Sequence, residues 1–129
     1  MAIRIVRLGD PRAAGEGLRI GTVRFLPRGV PKAEYATRNY FDLWFPILAP
    51  SAEAIREAKA AGSDRDWARF VRKYRKEMSA PGPRSVLDLL AALSEGTDLS
   101  VGCYCADETL CHRSVLRELL AERGAKILV

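Results

Sequence analysis

The sequence predicts an α/β protein, a compact three-layer single domain over residues 1–129 with a short, mostly parallel sheet flanked by helices. Three observations carry this. Short apolar runs of strand character sit near both ends of the chain. The middle holds amphipathic patterns of helical period. Residues 85–129 alternate helix, strand, helix, strand, which predicts a right-handed parallel crossover.

In chain order, Ile3 to Leu8 is a strand interrupted by Arg4 and Arg7, and Gly9-Asp10-Pro11 opens a loop that includes Gly15 and Gly17. Leu18 to Leu26 alternates as a second strand, and Gly21 in its middle marks a bulge or a close backbone approach. Pro27-Arg28-Gly29 turns the chain. Residues 35–50 are rich in aromatics (Tyr35, Tyr40, Phe41, Trp44, Phe45) and fit a short helix or an irregular packing element. Ser51 caps a helix through Ala61, stopped by Gly62. Ser63 or Asp64 caps the next, whose Trp67, Phe70, Val71, Tyr74 and Met78 form one apolar stripe. Pro81-Gly82-Pro83 ends it, and Ser85 caps a further helix with Val86, Leu89, Leu90 and Leu93 facing inward, closed by Gly96. Residues 99–105 alternate as a central strand, with Cys103 and Cys105 on one face. A five-residue loop leads to a helix from about Cys111 to Arg123, closed by Gly124, and residues 125–129 form a terminal strand.

Hydrophobic residues make up 48% of the chain, which argues against disorder. No apolar run approaches the ~20 residues of a membrane span. The alternating N-terminus lacks the apolar core of a signal peptide, so a reducing, cytoplasmic setting and free thiols are expected. The odd number of cysteines excludes a full disulfide framework. The net charge of +5, from 21 basic and 16 acidic residues, favours anionic partners without choosing among nucleic acid, nucleotides and phosphorylated metabolites.

All three cysteines and the single histidine fall between Cys103 and His112, followed directly by Arg113 and Ser114. The motif leaves the carboxyl end of a strand and enters a helix, the place where open α/β sheets bind ligands. Free N–H groups of the first helical turn suit an anion and favour a thiolate. This makes Cys111 a candidate nucleophile or redox thiol and His112 its base or orienter, with Arg113 and Ser114 as substrate contacts. Two other readings stay open. Cys103, Cys105, Cys111 and His112 are ligand types that suit zinc, although the adjacent Cys111 and His112 are expected to have trouble reaching one ion. Alternatively, Cys103 and Cys105 only pack in a buried strand.

A second candidate is Arg24 to Gly29, where Arg24 lies in the expected strand and the Pro27-Arg28-Gly29 turn places Arg28 at its end. If the two strands are parallel neighbours, Arg28 and Arg113 could converge on one anion. A third is the basic helix 65–76, a possible nucleic-acid surface in a binding or stress-associated module. No Gly-rich phosphate loop, nucleophile elbow or acid–base carboxylate pair is found, and no organic cofactor is expected.

Together these segments resemble the bacterial domain-of-unknown-function family 488, which includes the YeaO-like proteins. Arg24 to Gly29 looks like its Asp-Arg-Leu-Trp-Pro-Arg-Gly segment, and Leu48-Ala49-Pro50-Ser51 like its Leu-Ala-Pro-Ser. The helix from Trp67 to Met78 is similar to its Trp-x-x-Phe…Tyr-x-x-Glu-Leu helix, and Cys103 to Ser114 to the Cys…Cys-His-Arg motif of the broader family. Val23 stands where the YeaO-like branch has Asp, and Leu26 where it has Trp. The resemblance implies a compact α/β domain and no particular activity.

Overall fold

The structure, a computed structural model, describes residues 2–128. Val129, the expected end of the terminal strand, lies outside the described residues. Five strands, β1 (Ile3–Arg7), β2 (Leu18–Gly21), β3 (Leu43–Trp44), β4 (Leu99–Cys103) and β5 (Ile127–Leu128), form one sheet in the order β3-β2-β4-β1-β5. Every pairing is parallel. β4 is buried along its whole length and lies between β1 and β2, so that Leu99 pairs with both Ile3 and Leu18, and Val101 with both Ile5 and Ile20.

Alternation along the strands sends Ile3, Ile20, Leu99 and Val101 to one face of the sheet. They merge there with the buried residues of α1 (Ala52–Ala60), α2 (Asp64–Met78), α3 (Pro81–Leu93) and α4 (His112–Glu122) into the main core. The opposite face carries Arg19, Gly21, Ser100 and Gly102, and its covering layer is built from the loop segments 8–17 and 35–42. The Arg19 guanidinium anchors that layer. Its Nε and Nη2 donate to the two Glu16 carboxylate oxygens at 2.8 and 2.9 Å, and Nη1 donates to the carbonyls of Asp10 and Asn39. Ser100 Oγ donates to the same carboxylate at 3.0 Å. Both ionic side chains are almost wholly buried, 1% and 3% exposed.

Gly21 marks a close approach rather than a bulge: a Cβ there would stand 2.4 Å from the Phe41 ring. β2 ends at this glycine, well short of Leu26. Beyond it Thr22 still donates N–H and Oγ1 to the Gly102 carbonyl, but Val23 and Arg24 turn away to bond Trp44 and the carbonyls of Ala49 and Pro50. The aromatic stretch holds 3-10 turns at Lys32–Glu34 and Pro46–Leu48, and the short β3 between them.

α1 begins at the Ser51 cap, whose Oγ accepts from the Ala54 N–H at 3.1 Å. α2 keeps its stripe, with Phe70, Tyr74 and Met78 buried and Trp67 and Val71 partly so. α3 differs from expectation. Pro81-Gly82-Pro83 forms its first turn, where the N–H groups proline lacks would be unpaired anyway, and Ser85 lies inside the helix. Its inward residues are Leu87, Leu90 and Ala91, while Leu89 and Leu93 are exposed. Among the described residues no helix is long and apolar enough to cross a membrane.

Candidate functional site

The carboxyl ends of β2 and β4 and the first turn of α4 meet at one place. β4 stops at Cys103, so Cys105 is not a strand residue sharing a face with it but the first turn of the loop beyond. That loop returns through a 3-10 turn at Glu108–Leu110. It is fastened by the Asp107 carboxylate, which accepts from the Thr109 N–H and hydroxyl, and by the Arg117–Glu108 ion pair at 2.7 Å. Cys111 takes the N-cap position of α4 in extended conformation, and His112 begins the helix. The change in backbone direction between them swings both side chains to the same side. Cys111 Sγ and His112 Nδ1 lie 3.9 Å apart although the two residues are adjacent in sequence.

Three sulfurs and one imidazole thus converge. Cys103 and Cys105 place their Sγ atoms 3.8 Å apart. The ligand atoms of Cys103, Cys111 and His112 all lie within 4.8 Å of one another. Cys103 and Cys111 are buried, and Cys105 is exposed. The Cys103 and Cys111 thiols both favour the anion of Cys105, and His112 and Arg113 add to the effect, so Cys105 is held well below the ordinary thiol range. The contacts to Cys105 and Cys111, together with burial, push Cys103 up. Cys111 is raised as well, since Cys105 and burial outweigh the help of Cys103.

His112 is 8% exposed, and burial brings it down to about 4, so the ring is neutral at physiological pH. Its Nε2 lies 2.8 Å from the Thr22 carbonyl oxygen. A carbonyl can only accept, so Nε2 carries the proton and the Nδ1 lone pair faces the sulfurs. Tyr74 fixes the ring from behind, edge-on at 5.5 Å, while its hydroxyl donates to the Leu48 carbonyl at 2.6 Å.

The cluster forms the floor of a pocket of about 320 Å³ whose wall includes Val23, Arg24, Phe25, Lys59 and Leu110. The wall is largely apolar, with Lys59 and Arg24 as its cations. Arg24 is fixed by the Pro50 and Ala49 carbonyls at 3.1 and 3.0 Å. Val23 stands in this wall.

Arg113 is 3% exposed and does not line the pocket. Its Nη2 donates to the Cys105 carbonyl at 2.5 Å, and its Nε is buried without a partner. Ser114 Oγ donates to the Cys111 carbonyl at 2.9 Å. Arg28 lines a neighbouring cavity of about 630 Å³ that shares Phe25, Lys59 and Tyr104 with the first. β2 and β4 are indeed parallel neighbours, but Arg28 and Arg113 do not line one cavity. In the basic helix, Arg75 pairs with Glu118 and Glu122, and Lys73 with Glu53 and Glu57.

Sequence reasoning placed Cys105 among zinc-type ligands or strand packing, not as the exposed sulfur of the cluster, and did not single out Thr22, Tyr74 or Lys59 for this place. Cys105 carried a signal in its place inside the cysteine motif. Thr22 carried none, being ninety positions from the histidine it anchors.

A family described as the active DUF488-N3 subclade matches residues 3–124. No curated protein and no solved structure matches the chain.

Proposed function

The chain belongs to the DUF488-N3a family, and from that premise we propose that it is a thiol-dependent enzyme acting on a small anionic molecule held in the pocket above Cys103, Cys105, Cys111 and His112. The observation that carries the reading is the convergence of three sulfurs and a neutral imidazole on the floor of one pocket, with a single exposed sulfur among them. The description of the subclade as active agrees with it.

In this reading the apolar wall takes the body of the ligand, and Lys59 and Arg24 meet its negative charge. Cys105 presents the attacking sulfur. Cys111 and His112 manage the proton, since the free Nδ1 lone pair faces the Cys111 thiol. Arg113 and Ser114 hold the Cys105 loop and the start of α4 in place. Arg28 would meet a ligand long enough to reach the adjoining cavity. With Val23 in the wall, no carboxylate is available at that position for acid–base work.

Paired alkylation tests the reading. Iodoacetate, an anion, and iodoacetamide, its neutral counterpart, are compared on the reduced protein and on free cysteine at neutral pH. Cys105 should react about tenfold faster than free cysteine, with iodoacetate favoured more than it is by free cysteine. Lys59→Ala should remove that preference, and Cys105→Ser the fast phase. Reaction no faster than free cysteine would sink the thiol enzyme.

A further inference from the structure

We propose that Cys103, Cys105, Cys111 and His112 bind one zinc-type divalent ion at the floor of the pocket, the three cysteines as thiolates. The inference deepens the reading above, rests on the pocket floor being the site, and gives Cys111 and His112 a metal-ligating role in place of the proton role.

Three of the donors, Cys103 Sγ, Cys111 Sγ and the His112 ring nitrogen, lie as close together as a coordination shell requires, and Cys105 adjoins them through Cys103. Tetrahedral zinc, with bonds of about 2.3 Å to sulfur and about 2.05 Å to nitrogen, sets neighbouring ligand atoms about 3.8 Å apart for two sulfurs and about 3.6 Å for sulfur and nitrogen. Cys103 Sγ and Cys105 Sγ are 3.8 Å apart, and Cys111 Sγ and His112 Nδ1 are 3.9 Å apart. The donor atoms of Cys103, Cys111 and His112 all lie within 4.8 Å of one another, and Cys105, next to Cys103, lines the same cavity as the fourth ligand. Thiolate and imidazole donors in a tetrahedral set select zinc over the hard cations magnesium and calcium.

The histidine is already oriented as a ligand. A metal-bound imidazole characteristically donates its other N–H to a carbonyl or carboxylate, which fixes tautomer and ring plane. His112 does this through Nε2 to the Thr22 carbonyl at 2.8 Å, which leaves Nδ1 as the donor.

The charge of the loaded site is compatible with its surroundings. Arg113 is buried, and among the described residues it makes no ion pair. Asp107 and Glu108 feel its charge without reaching it, and Glu108 is taken by Arg117. A buried guanidinium without a counter-ion is costly. Three thiolates, one neutral imidazole and one divalent ion sum to a single negative charge beside it. Binding releases the remaining thiol protons to solvent and keeps a single negative charge beside Arg113. The exposed member of the shell, Cys105, keeps its sulfur toward the pocket, so the ion would hold the reacting sulfur deprotonated in place.

The test is metal content and spectroscopy on the full chain, purified under reducing conditions without chelator. About one zinc per chain is expected. Cobalt added to the chelator-treated, reduced protein should give the intense visible absorption of a tetrahedral thiolate site, lost in Cys103→Ser and Cys111→Ser. Arg113→Met, which removes the balancing charge, should weaken zinc binding about 10- to 100-fold. Folded, reduced wild-type protein that takes up neither zinc nor cobalt overturns the proposal, and that result needs no variant to fold. Uptake with a spectrum unchanged by both cysteine substitutions also overturns it. Alkylation of the chelator-treated protein separates the two readings. Fast reaction at Cys105 without metal uptake ends the metal site alone, and metal uptake with slow reaction ends the nucleophile alone.

Discussion

Neighbouring cysteines in this protein have different physical characters. Cys103 sits at the end of a buried strand, and Cys105, two residues later, is exposed. Cys103→Ser places a hydroxyl in an apolar setting, and about 1–3 kcal/mol of stability should be lost. Cys105→Ser, with its side chain toward solvent, should shift the metal-free protein by no more than about 0.5 kcal/mol. Urea denaturation under reductant measures both, and equal losses would show that exposure does not separate the two thiols. A sequence cannot make this distinction, because it depends on where β4 stops. Alternation runs on through Cys105, whereas the hydrogen-bonded ladder ends at Cys103, opposite Arg7.

Helix caps show a similar division between local and distant causes. Ser51 was legible as a cap because its role is local. Its reinforcement was not. Glu77, from α2, accepts from the Ser51 N–H at 3.0 Å and from its hydroxyl at 2.5 Å, so the carboxylate of a capping box comes from a different helix. Ser51→Ala should cost about 1–2 kcal/mol, at the upper end for a cap, since it also strips Glu77 of a donor. Thermal unfolding reads this as a lowered Tm, and an unchanged Tm would show that the cap carries no stability. Amphipathic stripes were legible wherever one face decides the packing, as in α2. α3 instead turns Leu87, Leu90 and Ala91 inward and leaves Leu89 and Leu93 exposed, because its first turn starts at Pro81 and not at a Ser85 cap. The close approach at Gly21 was legible from a glycine inside a strand, but its partner, Phe41, was not. Gly21→Ala should cost about 1–3 kcal/mol by overpacking, and Phe41→Leu in the same chain should recover part of it. Loss without recovery would place the strain elsewhere.

For the molecule as a whole, the two faces of the sheet are stabilised by different physics. Helices bury an apolar core on one. On the other, loops close over the Glu16–Arg19 pair. Burial alone would raise the Glu16 pKa, but donors from Arg19, Ser100 and the Ala13 N–H win, and the carboxyl is held below its ordinary 4.5. The pair therefore contributes fully above that value, and its contribution is lost as the pH falls through the lower value of the folded state. Glu16→Gln leaves Arg19 buried without its counter-charge and should cost about 3–5 kcal/mol near neutral pH. The difference from wild type should narrow in acid. Urea melts across the acid range measure this, and a gap that does not change with pH would contradict it. The α/β class and the position of a site at the strand ends were legible because both follow from element order. The buried ion pair was not, since nothing in residues 16–19 says that loops will cover them.

The strand order also governs when the fold can assemble. β1 and β2 come early in the chain, yet they never pair with each other. Before β4 begins at Leu99, β1 has no partner and β2 can meet only the two-residue β3. A growing chain therefore holds two edge-exposed apolar strands and three helices without a sheet to pack on, until the segment carrying the cysteines arrives between them. Residues 1–98 alone should show helical signal but no sheet protection in hydrogen exchange. The strand that joins β1 to β2 is the one that delivers Cys103, so the centre of the sheet and the first residue of the pocket floor arrive in the same step of synthesis.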